Sequence, residues 1–214
     1  LTLHEARELR ANPSTQAVES ELVDIGIEAC NAGIERVHIV GCDVDGAILR
    51  ELFTRDGVGS MISNAPFDRL RGAVLDVVCG ILEFVRPLED KGVLVFRSRE
   101  TIESEIKHFV VIIREDTVVA CGSFHSYPPH TAGEIACIAV HPDYRGGQFG
   151  DMLLVELEKR AKKAGIEMVF VLTTQASQWF GERGFEVGSL DALPVEKRRL
   201  YNYQRNSMVL IKEI

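Results

Sequence analysis

Apolar and polar positions fall into two blocks along the chain, and the first block is short. Apolar residues at helical spacing predict a helix over residues 15–32, and a β-type run follows at residues 36–40. Residues 43–53 have a helical pattern, and residues 60–62 form another extended piece. Because so few elements cannot enclose a core, we expect residues 1–75 to be the end of a larger domain and the chain to be part of a longer protein.

The second block predicts a complete α/β unit over residues 76–214. Residues 63–75 are predicted to connect the blocks, because Pro66 and Gly72 interrupt any regular pattern. Runs rich in Val, Ile and Phe predict strands at residues 93–96, 109–114, 117–124, 134–140, 168–172, 185–187 and 207–211. Helical spacing predicts helices at residues 100–107, 151–164 and 177–182. Ser98 is the predicted cap of the first of these helices. The order β-α-β-β-β-α-β-α-β-β predicts a mixed sheet flanked by helices.

The bulk composition narrows the classes of partner. The 214 residues carry 24 Lys and Arg against 32 Asp and Glu, which gives a formal net charge of −8. Such a surface argues against nucleic acid or an anionic membrane as the main partner. The five cysteines are odd in number and form no CxxC pair, which favours a reduced, cytoplasmic chain. His125, His130 and His141 fit no zinc spacing, so no metal is expected.

One segment, EIACIAVHPDYRGGQFG at residues 134–150, carries distinctive chemistry. A predicted strand runs through a glycine-bearing loop into a helix, whose first amides lack internal partners and attract anions. Arg145 adds a charge that can pair with phosphate, and the strand edge could bind an extended ligand that contains amides. Coenzyme A has both a pyrophosphate and an amide-bearing arm. A glycine-rich turn by itself, however, is more often only a turn.

The motif IAVHPDYRGGQFGDMLL resembles the acetyl-CoA loop of the GNAT acetyltransferase superfamily, and the resemblance extends over residues 91–214. It implies the GNAT fold, acetyl-CoA as co-substrate, and contacts to it from the strand and the loop. These contacts would come from Ile138, Ala139, Val140, Arg145, Gly146, Gly147, Gln148, Phe149 and Gly150. Gln148 stands where the superfamily pattern has its middle glycine, a departure found among the amino-acid N-acetyltransferases that make N-acetylglutamate.

Further blocks resemble that family of bacterial amino-acid N-acetyltransferases. VLTTQASQWFGERGFE and LPVEKRRLYNYQRNSMVL are similar to its C-terminal signatures. AGIERVHIVGCDVDGAILRELFTRDGVGSMI is similar to the end of its amino-acid-kinase-like domain. The resemblance implies acetyl transfer to the α-amino group of L-glutamate, the first step of arginine biosynthesis.

The same resemblance implies regulation and assembly in the full-length enzymes. Arginine would be a feedback inhibitor, bound in a region that Glu51, Gly57 and Gly59 match. Full-length enzymes of this kind would be homo-oligomers that assemble through the kinase-like domain. Because most of that domain is missing from these residues, we expect the chain by itself to be insensitive to arginine or poorly ordered before about residue 75.

Acetyl transfer to an amino acid needs a base, because the α-ammonium group is mostly charged at neutral pH. The resemblance assigns this role to Glu134, which would otherwise be an ordinary strand-end carboxylate. Thr173 and Thr174 lie where a hydroxyl could protonate the departing thiolate. Cys137 has no His or Asp partner in the sequence, so we expect direct attack in a ternary complex rather than an acetyl-cysteine. Its N–H would face the substrate carboxylate or the thioester oxygen.

Arginines are suitable partners for the two carboxylates of glutamate. Arg97, and Arg205 together with Ser207, match substrate-binding positions of the resembled family, although an isolated arginine is by default a surface residue. Two alternatives stay open: a GNAT enzyme for another amino acid or amine, and a non-catalytic arginine-sensing or assembly module. Arg97 and Arg205 favour a dicarboxylate acceptor, and Glu134 with Arg145 argues against a decayed site.

Overall fold

A computed structural model of the chain describes residues 1–11, 17–54, 57–64, 68–114, 116–146 and 148–214. The chain forms two compact units, Leu1–Phe67 and Asp68–Ile214. This division lies before residue 75, where the sequence analysis placed a domain boundary, because residues 68–72 pair with the sheet of the second unit. Within the described ranges, no helix has both the length and the apolar character that crossing a membrane requires.

Unit 1 combines helices with a two-stranded antiparallel sheet. Its elements are α1 (Leu3–Ala11), α2 (Ala17–Asn31), β1 (Arg36–Ile39), α3 (Ala47–Phe53) and β2 (Ser60–Ser63). Val37 of β1 lies opposite Ile62 of β2, and a small core forms around Ile62, Ala6 and Cys30. The predicted helices and strands of this block are present, although α3 starts later than expected, and residues 15 and 16 lie outside the described residues.

Unit 2 is built around a seven-stranded sheet with strand order β3-β4-β5-β6-β7-β9-β8. The strands are β3 (Asp68–Gly72), β4 (Phe109–Arg114), β5 (Thr117–Ser126), β6 (Ala132–Val140), β7 (Met168–Thr173), β8 (Glu186–Val187) and β9 (Met208–Glu213). The helices are α4 (Val78–Asp90), α5 (Arg99–Glu105), α6 (Phe149–Lys163), α7 (Ser177–Gly181) and α8 (Val195–Arg199). Among the described strands, β6 and β7 pair parallel and the other neighbours pair antiparallel. The predicted mixed α/β sheet is confirmed.

Helices cover both faces of this sheet, because its central strands are apolar on both sides. Along β4, Val110 and Ile112 enter the core that holds α6. Val111 and Ile113 point the other way and enter the core that holds α4. Leu157 of α6 is fully buried in the first of these cores, on the apolar face that its spacing predicts. Burial on both faces fixes the strand register, because a one-residue slip would exchange the two sets of side chains.

Two sequence predictions about this unit are wrong. Residues 93–96 are irregular rather than a strand, because the amides of Val93 and Leu94 bond back to the carbonyl of Leu88 near the end of α4. The first strand of the sheet is instead β3, which lies in the segment predicted to be a connector. β3 gives a weak apolar signal because it is an edge strand in which half-buried and exposed residues are mixed.

Candidate active site

The sheet of unit 2 opens between its two parallel strands. β6 and β7 pair at Ala132–Glu134 and Met168–Phe170 and then diverge, although both strands continue for several residues. The described sheet therefore places no strand against β6 on that side beyond Glu134. A strand edge of this kind can bind an extended ligand that contains amide groups. The open segment contains Ile138, Ala139 and Val140, the predicted cofactor-binding positions of the strand.

Cys137 lies where the register between β5 and β6 breaks. The pairing shifts between Cys121 and Ser123, and Cys137 has a φ of 53°. This left-handed conformation costs a non-glycine residue roughly 1 kcal/mol or more, and a bulge re-aims the backbone of its strand. The Cys121 thiol donates to the carbonyl of Cys137 at 3.6 Å. Its hydrogen bonding with Cys137 and its burial raise the pKa of the Cys121 thiol, so that thiol stays protonated.

Glu134 lies at the point where β6 and β7 diverge, and it is buried. The hydroxyl of Tyr127 donates a hydrogen bond to Glu134 Oε2 at 2.7 Å. Lys197 Nζ forms an ion pair with the same oxygen, also at 2.7 Å. Burial and then the charge of Glu134 raise the pKa of Tyr127, so the phenol remains a donor. Two neighbours from separate segments therefore hold this buried carboxylate in one orientation.

A cavity of about 640 Å³ is lined in part by Lys197. Its lining also includes Leu172 of β7, Arg205 and Ser207. Arg205 Nη2 donates to the carbonyl of Val93 at 2.6 Å. Arg205 Nε is buried and has no hydrogen-bond partner among the described residues. An unpaired buried donor costs free energy until a partner satisfies it, so Arg205 is a candidate for binding an anion.

Arg97 belongs to the segment between α4 and α5. Its backbone N–H donates to Glu89 Oε1 at 2.9 Å, and the other oxygen of this buried carboxylate pairs with Arg86. Burial and then the charge of Arg97 lower the pKa of Arg205. Arg97 itself is not among the described residues that line the cavity, but its charge acts on Arg205, which is.

The loop between β6 and α6 offers backbone groups and exposed side chains. Gly146 has a φ of 86°, which glycine adopts without strain. Arg145 and Gln148 are exposed, and α6 begins at the buried Phe149. Gly147 lies outside the described residues. The first amides of α6 have no partners within the helix and can bind an anion.

The first turn of α6 is fixed to α7. A Cβ on Gly150 would lie 2.9 Å from Trp179 Cζ2, so the two helices approach as closely as glycine allows. Arg183 lies over the ring of Trp179 at 4.0 Å and makes two hydrogen bonds to the carboxylate of Asp151 in α6. The hydrogen bonds to Arg183 lower the pKa of Asp151. The residues after β7 therefore support the end of α6 at which an anion would bind.

Thr173 and Thr174 differ in their surroundings. Thr173 Oγ1 accepts hydrogen bonds from the amides of Ala176 at 3.0 Å and Gln175 at 3.4 Å, which leaves its own hydrogen for another acceptor. Thr174 is exposed. Thr173 fits the part of a proton donor better than Thr174, and the assignment of either residue stays a prediction.

The diverging strands and the loop lie in a region that matches a known protein family. The model of the acetyltransferase (GNAT) family matches residues 81–185, a range that contains the β6–β7 opening, Glu134 and the glycine-bearing loop. The chain carries a GNAT acetyltransferase domain. The GNAT fold expected from the loop motif is confirmed.

Curated relatives extend the similarity beyond the GNAT domain. The chain is 47% identical over 196 residues to the amino-acid acetyltransferase of Pseudomonas fluorescens, an alignment that covers 92% of this chain and 45% of the relative. It is 45% identical over 188 residues to the amino-acid acetyltransferase of Serratia proteamaculans, covering 88% of this chain and 43% of the relative. The resemblance to amino-acid N-acetyltransferases is confirmed. The chain spans somewhat less than half the length of these relatives.

Two solved structures of an N-acetylglutamate synthase are also similar to this chain. N-acetylglutamate synthase from Neisseria gonorrhoeae, complexed with coenzyme A and L-arginine, superposes with a TM-score of 0.87 at 33% identity, over 100% of this chain and 48% of the other. The same synthase complexed with coenzyme A and N-acetyl-glutamate gives a TM-score of 0.67 at 34% identity, over 100% and 50% of the two chains.

The GNAT domain distributes many of the predicted residues over three places, which are the strand opening, the loop before α6 and the cavity. Glu134 lies at the strand opening, and Arg205 and Ser207 line the cavity. Sequence reasoning missed Lys197 and Tyr127, the two residues that contact Glu134. Lys197 lies in a run of charged residues, VEKRR, where nothing in the spacing distinguishes it from its neighbours.

The histidines of the GNAT domain have other partners. His125 Nε2 is 3.1 Å from Ser123 Oγ, and His130 lies 3.5 Å from Glu196. His141 Nδ1 accepts from the amide of Asp143. The part of the chain that the structure describes contains no group of three or more metal-ligating side chains that could hold a metal ion.

Proposed function

We propose that the chain transfers the acetyl group of acetyl-CoA to the α-amino group of L-glutamate. The observation that carries this proposal is Arg205, which lines the cavity together with Lys197, the ion-pair partner of Glu134, and whose buried Nε has no hydrogen-bond partner among the described residues. The cavity calls for an anionic acceptor, and the carboxylate supplies a base for its amine. The relatives named amino-acid acetyltransferase and the synthase bound to coenzyme A and N-acetyl-glutamate support the same activity.

The charge around the cavity favours an acceptor with two carboxylates. Arg205 and Lys197 line it, and the charge of Arg97 acts on Arg205. One carboxylate of such an acceptor would accept a hydrogen bond from Arg205 Nε. The other carboxylate could bind another cation or the backbone N–H of Cys137. A cationic amine would meet repulsion from the same groups, which makes the alternative acceptor class of simple amines the weaker candidate.

The proposed co-substrate fits the open side of the domain. The β6 edge at Ile138, Ala139 and Val140 suits the amide-bearing arm of acetyl-CoA. The N-terminus of α6, with Gly146 before it and Gly150 packed on Trp179, suits the pyrophosphate. Arg145 is exposed at this loop and can pair with a phosphate oxygen. These residues need no metal ion to bind a thioester substrate.

The proposed reaction is a direct transfer within a ternary complex. Glu134 takes a proton from the α-ammonium group, and the resulting amine attacks the thioester carbonyl carbon. The nitrogen–carbon bond forms and the carbon–sulfur bond breaks, while the Cys137 N–H is available to the thioester oxygen or to a substrate carboxylate. Thr173 is the candidate that donates a proton to the leaving thiolate, and the second proton that the nitrogen loses as the amide forms balances this proton.

An acceptor panel tests this proposal. Release of the coenzyme A thiol is measured with acetyl-CoA and, in turn, L-glutamate, L-glutamine, L-aspartate and L-lysine. We expect L-glutamate to have the highest kcat/KM, and L-glutamine to lose roughly tenfold or more because its amide cannot replace a carboxylate opposite Arg205. Thiol release with another acceptor but not with L-glutamate would support a GNAT enzyme for another amino acid or amine. Failure of every acceptor would support a non-catalytic module.

We also propose that the 214-residue chain alone does not form a binding site for arginine. Glu51, in the matched region, already accepts the amides of Val58 and Gly59 at 2.7 Å and 2.8 Å and contacts His38 at 2.7 Å. Its buried carboxylate is therefore committed to the loop that contains Gly57 and Gly59. A saturable arginine isotherm on the 214-residue chain would contradict this proposal. Homo-oligomeric assembly of a full-length enzyme stays a prediction.

A further inference from the structure

Lys197 stands between the acceptor cavity and the carboxylate of Glu134. Its ammonium group lies 2.7 Å from Glu134 Oε2. The side chains of Lys197 and Glu134 are 20% and 7% exposed, respectively. Among the described residues that line the cavity, Lys197 is present and Glu134 is absent. In this arrangement a molecule in the cavity meets the lysine before it meets the carboxylate.

The lysine occupies the position that an acceptor amine needs. An amine that loses its proton to Glu134 must come within hydrogen-bond distance of a carboxylate oxygen. The hydroxyl of Tyr127 already donates to Oε2 from another segment, at 2.7 Å. Lys197 is the partner of Oε2 that lines the cavity, so an acceptor amine that approaches this oxygen from the cavity has to replace it.

We propose that Lys197 covers Glu134 until the ammonium group of the acceptor replaces it. Lys197 then acts as a specificity-determining residue, because only a cation can compensate the carboxylate for the lost ion pair. The inference rests on the proposed function, in which Glu134 is the base. It goes beyond that function by assigning the chain's own ammonium group as the competitor of the substrate's.

The physical basis is the difference between an ammonium ion and water. Breaking a buried ion pair by removing one partner is strongly unfavourable, since it leaves a buried charge without compensation. An α-ammonium group restores the same charge and the same type of hydrogen bond to Glu134. Water is neutral and restores neither. Lysine is suited to such movement, because its ammonium group is carried on a flexible four-carbon stem.

The proposal predicts that Lys197 suppresses hydrolysis of the co-substrate. If the lysine left, Glu134 could take a proton from water while the water oxygen attacks the thioester carbonyl carbon. The oxygen–carbon bond would form, the carbon–sulfur bond would break, and the thiolate would take up a proton. The products would be acetate and coenzyme A, without any acceptor amine.

The test is thiol release from acetyl-CoA, with and without L-glutamate, on the 214-residue chain and on Lys197→Met. We expect the release without acceptor to rise roughly tenfold or more in the variant, since a positioned base contributes roughly 10²–10⁴-fold. Arg199→Met is the matched control, because it removes an exposed cation from the same helix. The control should leave both rates unchanged.

A second variant protects the test against loss of structure. Lys197→Gln keeps much of the length and a hydrogen-bond donor but removes the charge, and it should also raise the acceptor-independent rate. If both folded variants, as judged by thermal melting, kept the acceptor-independent rate of the parent while glutamate turnover fell, Lys197 would only position Glu134 and the inference would be wrong. If the parent chain showed no glutamate-dependent release at all, the proposed function would fail instead.

Discussion

The two halves of the candidate site are built in different ways. The co-substrate half consists of a strand edge, a glycine loop and the start of α6, and its loop side chains Arg145 and Gln148 are exposed. The acceptor half consists of buried charged side chains, with Glu134 held by Lys197 and Tyr127 and with Arg205 bonded to a distant carbonyl. The first half relies on backbone geometry, whereas the second relies on charges placed by tertiary packing.

This difference predicts how the halves respond to substitution. Backbone groups cannot be removed by changing a side chain, so the co-substrate half should be sensitive mainly to added atoms. Buried charges lose their partners when one side chain changes, so the acceptor half should be sensitive to single removals.

The largest effect is expected for Glu134→Gln. Loss of the base should lower kcat by roughly 10²–10⁴-fold while coenzyme A affinity stays close to that of the parent. Glu186→Gln, at an exposed position on β8, is the matched control. Steady-state kinetics and calorimetric titration of coenzyme A measure the two quantities. If the variant retained the parental kcat, Glu134 would not be the base of the reaction.

The next effect is expected for Arg205→Met. Removing the guanidinium should raise the KM for L-glutamate by roughly tenfold to a hundredfold, since hydrogen bonds to charged groups contribute about 1.5–3 kcal/mol. kcat should change less, because Arg205 lies in the binding cavity rather than at the base. Arg199→Met serves again as the control. An unchanged glutamate KM in a folded variant would show that the cavity does not bind the acceptor.

A smaller effect is expected for Gly150→Ala in the co-substrate half. The added Cβ would lie 2.9 Å from Trp179 Cζ2, and overpacking of this kind costs about 1–3 kcal/mol. We expect a lower Tm and weaker coenzyme A binding, with the glutamate dependence otherwise retained. Gly181→Ala is the matched control, because a Cβ there meets nothing within 4 Å. Equal melting temperatures for the two variants would show that the contact with α7 does not fix the start of α6.

The smallest effect concerns His125, whose pKa is lowered by burial. A histidine with a folded pKa below its unfolded value of about 6.5 contributes stability that is present above that pH and lost as the pH falls through the folded pKa. Titration of the imidazole by NMR should place its midpoint below about 6.5. A midpoint above that value would mean that the charge of Glu134, which acts in the opposite sense, dominates over burial.

The same contrast explains what the sequence could predict. The loop and its helix are contiguous, so residues 134–150 were sufficient to indicate an anion site next to a strand. The cap at Ser98 is likewise local, and its side chain accepts from the amide of Thr101 as expected. The acceptor half draws on Val93, Lys197 and Arg205, which are separated by up to 112 residues. No local pattern reports such contacts, and only the family resemblance indicated Arg97 and Arg205.

The strand errors have a related cause. Residues 93–96 are apolar, but the amides of Val93 and Leu94 bond to the end of α4, and Leu94, Val95 and Phe96 line the cavity instead of pairing in the sheet. β3 pairs in the sheet but is polar and lies at its edge. Val95 and Phe96 are exposed, so an apolar run in the sequence can come from the wall of an open cavity as well as from a buried strand.

The most direct test of the central claim is a crystal structure of the chain with coenzyme A and N-acetyl-L-glutamate. We predict a carboxylate within hydrogen-bond distance of Arg205 Nε and the acetylated nitrogen next to Glu134. The pyrophosphate should lie at the first amides of α6. An N-acetyl-L-glutamate bound elsewhere, with Arg205 Nε still lacking a partner, would contradict the account.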